Sequence, residues 1–179
     1  MRIPKRRRIE GKTNYANRIR MLKGEKPRIV FRRTNRYIIA EYVTSHEAQD
    51  KIEIGLTSKN LKKFGWPAEF EGSLKSVPAS YLTGFLMGKE ITKKKLATPI
   101  VDVGMIRTLS KNKVFAFIQG LIDSGIEIKC SEEKFPEAER IEGKNLKKDF
   151  SKTFKEIKSK LGSEQVQASH PASVMREKI

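Results

Sequence analysis

Arg28-Ile-Val-Phe-Arg-Arg-Thr-Asn-Arg-Tyr-Ile-Ile39 is the stretch on which the fold reading turns. Ile29, Val30 and Phe31 are β-branched or aromatic, the residue types that suit a pleated strand. Phe31 is expected in the core because its preceding neighbours are apolar. Thr34-Asn35, set between arginines, reads as a hairpin turn, since Asn tolerates the left-handed conformation. Tyr37 to Val43 is the return strand. A loop from Thr44 to Asp50 leads to a third strand, in which Ile52, Ile54 and Leu56 alternate with polar neighbours and so bury one face. Three successive strands with short links predict an antiparallel meander.

Downstream the periodicity changes. Ser76-Val-Pro78 opens a helix with Pro in its first turn. Tyr81, Leu82, Phe85 and Leu86 give its apolar face through to about Lys89, and Gly84 and Gly88, four apart, let a neighbouring backbone come close. Ile100 to Val103 reads as a short strand buried on both faces. A second helix covers about Lys111 to Ser124 with Gly125 as its stop, and Ile126 and Ile128 belong to a last strand. The order β-β-β-α-β-α-β predicts an α/β fold: a mixed sheet with antiparallel first strands, then parallel strands joined through helices. Beyond Cys130, Leu146, Phe150, Phe154, Ile157 and Leu161 mark an amphipathic C-terminal helix. Upstream, a short helix is expected over Asn14–Lys23, capped by Thr13 or Asn14 and ended by Gly24, with Tyr15, Ile19 and Leu22 as its buried stripe. Residues 1–12 read as an extended arm. The expected organisation is a basic arm and short helix over 1–24, an α/β core over 25–130, a helical extension over 131–161 and a flexible tail over 162–179.

Charge points to a partner. The 179 residues carry a net +17, and residues 1–36 hold 14 Lys and Arg against Glu10 and Glu25, so +12 lies in the first fifth of the chain. Such concentration indicates a surface for a polyanion and disfavours a small-molecule enzyme. Arginine dominates, and a guanidinium can fork onto phosphate and stack on a base. Arg18 and Arg20 lie off the helix stripe and are expected to be free for phosphates. Tyr15, Phe31, Tyr37 and Asn35 interleave with these cations and could stack on or hydrogen-bond with unpaired bases.

Other chemistries fit less well. Gly84-Phe-Leu-Met-Gly88-Lys89 has one residue too few between its glycines for a Walker loop, and Glu90 stands where Ser or Thr is needed. His46, His170 and Cys130 have no metal-ligand spacing, so no metal or other cofactor is expected. A single Cys forms no internal disulfide and fits a reducing compartment, where a lone buried thiol is common. The longest uncharged run, Ser76 to Gly88, is too short to span a membrane, and no secretory signal is evident; a soluble intracellular protein is expected. A mixed sheet with an antiparallel start is also the architecture of ribonuclease H-like enzymes. The first strand, however, has no acid, and Asp102 and Asp123 read as a strand-end hydrogen bond and a solvated helix terminus. An RNA-processing nuclease or an RNA chaperone is the alternative to structural RNA binding.

Four blocks in order resemble the large-subunit ribosomal protein family that binds 5S ribosomal RNA, the eighteenth in bacterial and archaeal naming and the fifth in eukaryotic naming. They are Arg6-Arg-Arg-Ile-Glu-Gly-Lys-Thr-Asn-Tyr15, Arg28 to Ile39, Val77-Pro-Ala-Ser-Tyr-Leu-Thr-Gly84, and Val101-Asp-Val-Gly-Met-Ile-Arg-Thr108 continuing through Lys113-Val-Phe115 and Lys134-Phe-Pro136. The similarity covers about residues 5–161 and looks archaeal in type. It implies a ribonuclease H-like topology without a catalytic site, a cytoplasmic, ribosome-bound location in the central protuberance, and no enzymatic activity. The implied partners are 5S RNA, large-subunit RNA and neighbouring proteins, including the other 5S-binding protein. The resemblance carries RNA contact to Arg6, Arg7, Arg8, Lys12, Thr13, Tyr15 and Arg18, to Arg32, Arg33, Asn35 and Arg36 of the hairpin, and to Arg107, Lys111, Asn112 and Lys113 of a later loop.

Overall fold

The computed structural model describes residues 3–47, 49–146 and 149–163, without the side chains of residues 71–73 and 163. The expected flexible tail lies, but for its first two residues, outside the described residues. One helical turn, α1 (Arg6–Ile9), and a longer helix, α2 (Tyr15–Lys23), precede strands β1 (Arg28–Arg33), β2 (Ile38–His46) and β3 (Gln49–Thr57). Two 3-10 stretches, Ser58–Phe64 and Ala68–Ser73, lead to α3 (Val77–Lys93), β4 (Ile100–Asp102) and α4 (Lys113–Asp123). A 3-10 turn at Glu132–Lys134, then α5 (Ala138–Glu142) and α6 (Ser151–Ser163), complete the described chain.

The sheet order is β3-β2-β1-β4. β1 and β2 pair antiparallel, as do β2 and β3, while β4 runs parallel to β1. The mixed α/β sheet expected from the sequence is present. Its pleat sorts the side chains of β1: Ile29 and Phe31 point into the core with Ile38, Ala40 and Tyr42 of β2, against Met87 and Ile91 of α3 and Phe117 and Leu121 of α4. The alternate residues, Arg28, Val30 and Arg32, therefore lie on the opposite face, with Asp102 beside Val30 in register. The same alternation that builds the core thus delivers two arginines to the outer face.

Local signals act where they were read. Asn14 caps α2 by accepting from Asn17 N, and Ser76 caps α3 by accepting from Ala79 N. Phe150, Phe154, Ile157 and Leu161 are buried, and α6 adds them to the core around α3. Its helix begins only at Ser151, where Asp149 accepts from the Ser151 amide, so Leu146 and Phe150 precede it. α3 runs to Lys93, a turn beyond the expected end.

Several expectations are corrected. Residues 6–9 form a helical turn within the arm, so the arm is not wholly extended. α2 buries none of its residues fully: of the expected stripe Tyr15 and Leu22 are half-buried and Ile19 is exposed, and an ion pair, described below, helps to hold the helix. At the hairpin, Asn35 does not adopt a positive φ. The Thr34 hydroxyl makes the turn instead, accepting from the amides of Arg36 and Tyr37 and donating to Tyr37 O. β2 and β3 continue through most of the expected loop, with Glu47 at φ 47° in the tight turn. In β3, Ile54 is buried but Ile52 is exposed. A bulge places Ile54 opposite Tyr42 and Ile52 opposite Val43, so one extra residue sends the two isoleucines to opposite faces.

β4 is an edge strand, not one buried on both faces: Ile100 is exposed and Val101 half-buried. Among the described residues no strand forms at Ile126 and Ile128. The end of α4 accounts for this. Gly125 sits at φ 102°, Ile126 N donates to Leu121 O and Gly125 N to Ile122 O, so the Ile126 amide closes the helix instead of pairing with β4. Cys130 is half-buried, with its thiol directed at Ser131 O.

Candidate nucleic-acid interface

Outward-facing Arg28 is the anchor of the polar face. It is almost wholly buried, and a charge there persists only when paired. One of its terminal nitrogens lies 2.8 Å from Asp50 Oδ1 and also donates to Ser45; the other lies 3.5 Å from Asp102 Oδ2. The two carboxylates extend the pairing in both directions. Asp50 Oδ2 takes Arg18 of α2 at 2.9 Å, and Asp102 Oδ2 takes Arg32 at 3.3 Å. A ladder Arg18–Asp50–Arg28–Asp102–Arg32 therefore crosses the outer face and ties the N-terminal helix to the sheet. Arg18 is thus not free of protein partners, contrary to expectation.

Burial pushes the Asp50 carboxyl upward, but hydrogen bonds from Ser45 and Arg18 and the charges of Arg28 and Arg18 outweigh it and hold the group below the ordinary aspartate range. Its stabilising contribution is therefore complete above about pH 4–5 and is lost as pH falls through the lowered folded value. Asp50→Asn keeps the shape but leaves Arg28 with Asp102 as its one carboxylate partner among the described ion pairs. Because Asp50 is partly exposed, the expected loss is about 2 kcal/mol, less than for breaking a fully buried pair. Urea unfolding at neutral pH measures it, and the variant and the parent should converge only once the pH has fallen below the lowered Asp50 value.

Arg32 is held at three points, donating to Phe31 O at 2.8 Å, to Asp102 O at 3.0 Å and to the Asp102 carboxylate. Gly104, at φ 62°, lies against its guanidinium; a Cβ there would come within 2.9 Å of Arg32 Cζ. Asp102 Oδ1 accepts from the Gly104 amide.

The remaining predicted residues divide into exposed groups and residues engaged within the protein. Arg6, Arg7 and Arg8 are exposed on α1, which buries nothing. Arg7 Nε donates to Thr13 Oγ1, and Arg8 reaches the Met105 thioether, joining the arm to the loop after β4. Arg6 and Lys12 both approach Glu10. Tyr15 is half-buried beneath the Lys5 ammonium. Arg33, Asn35 and Arg36 are exposed at the hairpin tip, and Arg107 is exposed in the later loop. Lys111 pairs with Glu137 at 2.7 Å. Asn112 is the cap of α4, accepting from Val114 and Phe115 amides while its own amide donates to Arg107 O.

Lys113 discloses a second basic focus. Burial comes first, then the charges of Arg33, Lys75 and Arg140, in lowering its pKa from the ordinary lysine value. Lys75 precedes α3 and Arg140 lies in α5, so sequence reading missed both; only the fold brings them towards the hairpin arginine. A cluster whose members raise one another's electrostatic energy is relieved by an anion. The carboxylates invoked for a nuclease are otherwise engaged. Asp102 is shared by two arginines, and Asp123 accepts from the Tyr81 hydroxyl. Among the described residues no group of three His, Cys, Asp or Glu could hold a metal ion, and no helix is long and apolar enough to cross a membrane.

Comparison with known proteins gives one answer. The family described as ribosomal large subunit proteins 60S L5 and 50S L18 matches residues 1–99. The large ribosomal subunit protein uL18 of Methanospirillum hungatei is 40% identical over 141 residues, 79% of this chain and 78% of the relative. That of Korarchaeum cryptofilum is 39% identical over 141 residues, 79% of this chain and 70% of the relative. That of Thermofilum pendens is 34% identical over 160 residues, 89% of this chain and 79% of the relative. With a basic outer face on a mixed sheet, this chain belongs to the family of large-subunit ribosomal proteins 60S L5 and 50S L18, whose role is structural and ribosome-associated, not enzymatic.

Proposed function

We propose that the protein binds 5S ribosomal RNA and anchors it to large-subunit RNA in the central protuberance of a cytoplasmic ribosome. The observation that carries this reading is the grouping of exposed cations on the arm, the hairpin tip and the loop after β4, around an outer sheet face whose own arginines are held by ion pairs. In this reading residues 1–24 thread between RNA helices, residues 25–130 present the hairpin, and residues 131–161 brace the helical side. Contact is assigned to Arg6, Arg7, Arg8, Lys12, Thr13, Tyr15, Arg33, Asn35, Arg36, Arg107 and Lys113. Arg18, Arg32, Lys111 and Asn112 make their contributions while bonded within the protein. Neighbouring proteins of the protuberance, the other 5S-binding protein among them, complete the surroundings.

The test is competition binding at matched salt. 5S RNA should bind far more tightly than duplex DNA or unrelated RNA, and the protein should sediment with large subunits. Equal affinity for all three polymers would refute the reading. The affinity should fall with a log–log salt slope of roughly −0.7 to −0.9 per phosphate neutralised.

Lys113 supplies a separate prediction. Its lowered pKa should rise when a phosphate joins the Arg33, Lys75 and Arg140 cluster, so in the pH range where the free group is partly deprotonated binding takes up protons. Calorimetry in buffers of different ionisation enthalpy should show this uptake, and Lys113→Gln should abolish it. The same substitution should leave the free fold unchanged or stabilise it slightly, by less than about 1 kcal/mol after solvent screening.

A further inference from the structure

A small cleft lies where the arm, α2 and the outer sheet face meet. Arg7, Lys12, Arg18, Arg32, Asp102 and Gly104 are among the residues that line it, and its volume is about 80 Å3. On this measure one water needs roughly 10–15 Å3, so the cleft has room for a tetrahedral oxyanion against its walls. Resting on the RNA-binding reading above, we infer that this cleft is a single-phosphate site, assembled by the ion-pair ladder before RNA arrives.

The electrostatics favour an anion although carboxylates are present. Five cations (Arg7, Lys12, Arg18, Arg28 and Arg32) stand against Glu10, Asp50 and Asp102. The excess is positive, and each guanidinium has more donors than its protein partners use. Arg7 engages Nε on Thr13, and Arg18 engages one terminal nitrogen on Asp50. The carboxylates therefore act as positioning groups. They hold Arg18 and Arg32 in place, so little side-chain freedom is lost when phosphate binds. Gly104 belongs to the same design, because a side chain there would displace the Arg32 guanidinium.

The phosphate is either a backbone phosphodiester or a free ion, and both would meet the same donors. The experiment uses the full chain and 5S RNAs in which single phosphates are replaced by uncharged methylphosphonates. Arg7→Gln, whose side chain is exposed, and Arg32→Gln should each weaken binding of unmodified RNA about tenfold. At one shared position, neutralising the phosphate should cost the parent about tenfold and cost either variant almost nothing. Gly104→Ala, which retains every charge, should reproduce the Arg32→Gln result. If Arg7 and Arg32 couple to different phosphates, or to none while RNA still binds, the single-phosphate site is overturned and RNA binding stands. If the parent shows no preference for 5S RNA, the proposed function itself fails. Titration with inorganic phosphate, read on the Arg Nε–H NMR signals, separates the sources. Saturation below about 1 mM assigns a free ion, corresponding to roughly −4 kcal/mol. Joint shifts only with RNA assign the backbone, and independent shifts of the two arginines overturn the site.

Discussion

Gly84→Ala is expected to destabilise the protein by about 3 kcal/mol or more and to lower its melting midpoint by roughly 10 °C. A Cβ on Gly84 would sit 2.2 Å from the carbonyl oxygen of Phe117, and one on Gly120 would sit 2.2 Å from that of Tyr81. Helices α3 and α4 therefore cross backbone to backbone, each glycine admitting the other helix. The obstruction is main chain inside an α-helix, which cannot rotate away as a side chain can. Relief requires the helices to separate, which opens the core where Phe117 and Leu121 meet the sheet. Polar clasps resist that separation, since Ser80 donates to Lys113 O at 2.6 Å and Tyr81 donates to Asp123. Gly88→Ala should cost less, because its obstacles are side-chain atoms: the Ser124 hydroxyl can change rotamer after breaking its bond to Leu121 O, and the Ser124 Cβ, 2.8 Å away, then requires only a small shift. Urea denaturation of the three alanine variants checks the order, with Gly84 and Gly120 worst. Equal losses at all three positions would contradict the backbone-contact account.

That the Gly84 and Gly88 spacing could be read at all reflects its locality. Two glycines four apart on an apolar helix have one geometric consequence, a close approach on that face. Caps such as Asn14 and Ser76, and the buried stripe of Phe150, Phe154, Ile157 and Leu161, are legible for the same reason. Each depends on residues within a turn or two. The failures are equally physical. Whether Ile52 and Ile54 share a face depends on a bulge set by pairing with β2. Whether Ile126 joins a sheet depends on how α4 ends, and there the helix-closing bond took the amide first.

The site divides along the same line. The cations of the arm and hairpin are visible in the sequence because charge density needs no fold. Their arrangement is not. Asp50, Arg28 and Asp102 come from three strands and meet only after the sheet forms, so in the sequence Asp102 reads as an isolated acid and Arg18 as a cation free for phosphates. Lys75 and Arg140 lie outside the basic segment and join Lys113 only through the positions of α3 and α5. The structure therefore changes the meaning of the charges more than their number. Some hold others in place, and the exposed remainder faces outward.

Deleting residues 1–12 should weaken 5S RNA binding by about three orders of magnitude while leaving the melting midpoint almost unchanged. The segment carries Arg2, Lys5, Arg6, Arg7, Arg8 and Lys12 against Glu10. If four to six of these meet phosphates, the salt slope should become shallower by roughly three to five units. Stability should survive because α1 buries nothing and the described long-range bond of this segment is the weak one from Arg8 to the Met105 thioether. Unchanged affinity would remove the arm from the mechanism, and loss of the folded state would make it structural. A second variant separates charge from shape: glutamine at all six basic positions, with the arm retained. Ile3 and Ile9 are exposed in the free protein, so apolar contact with RNA is open to them. If phosphate neutralisation accounts for the arm, deletion and glutamine replacement should give the same salt slope. Any further loss on deletion that salt does not alter then measures what the two isoleucines and the arm's backbone contribute.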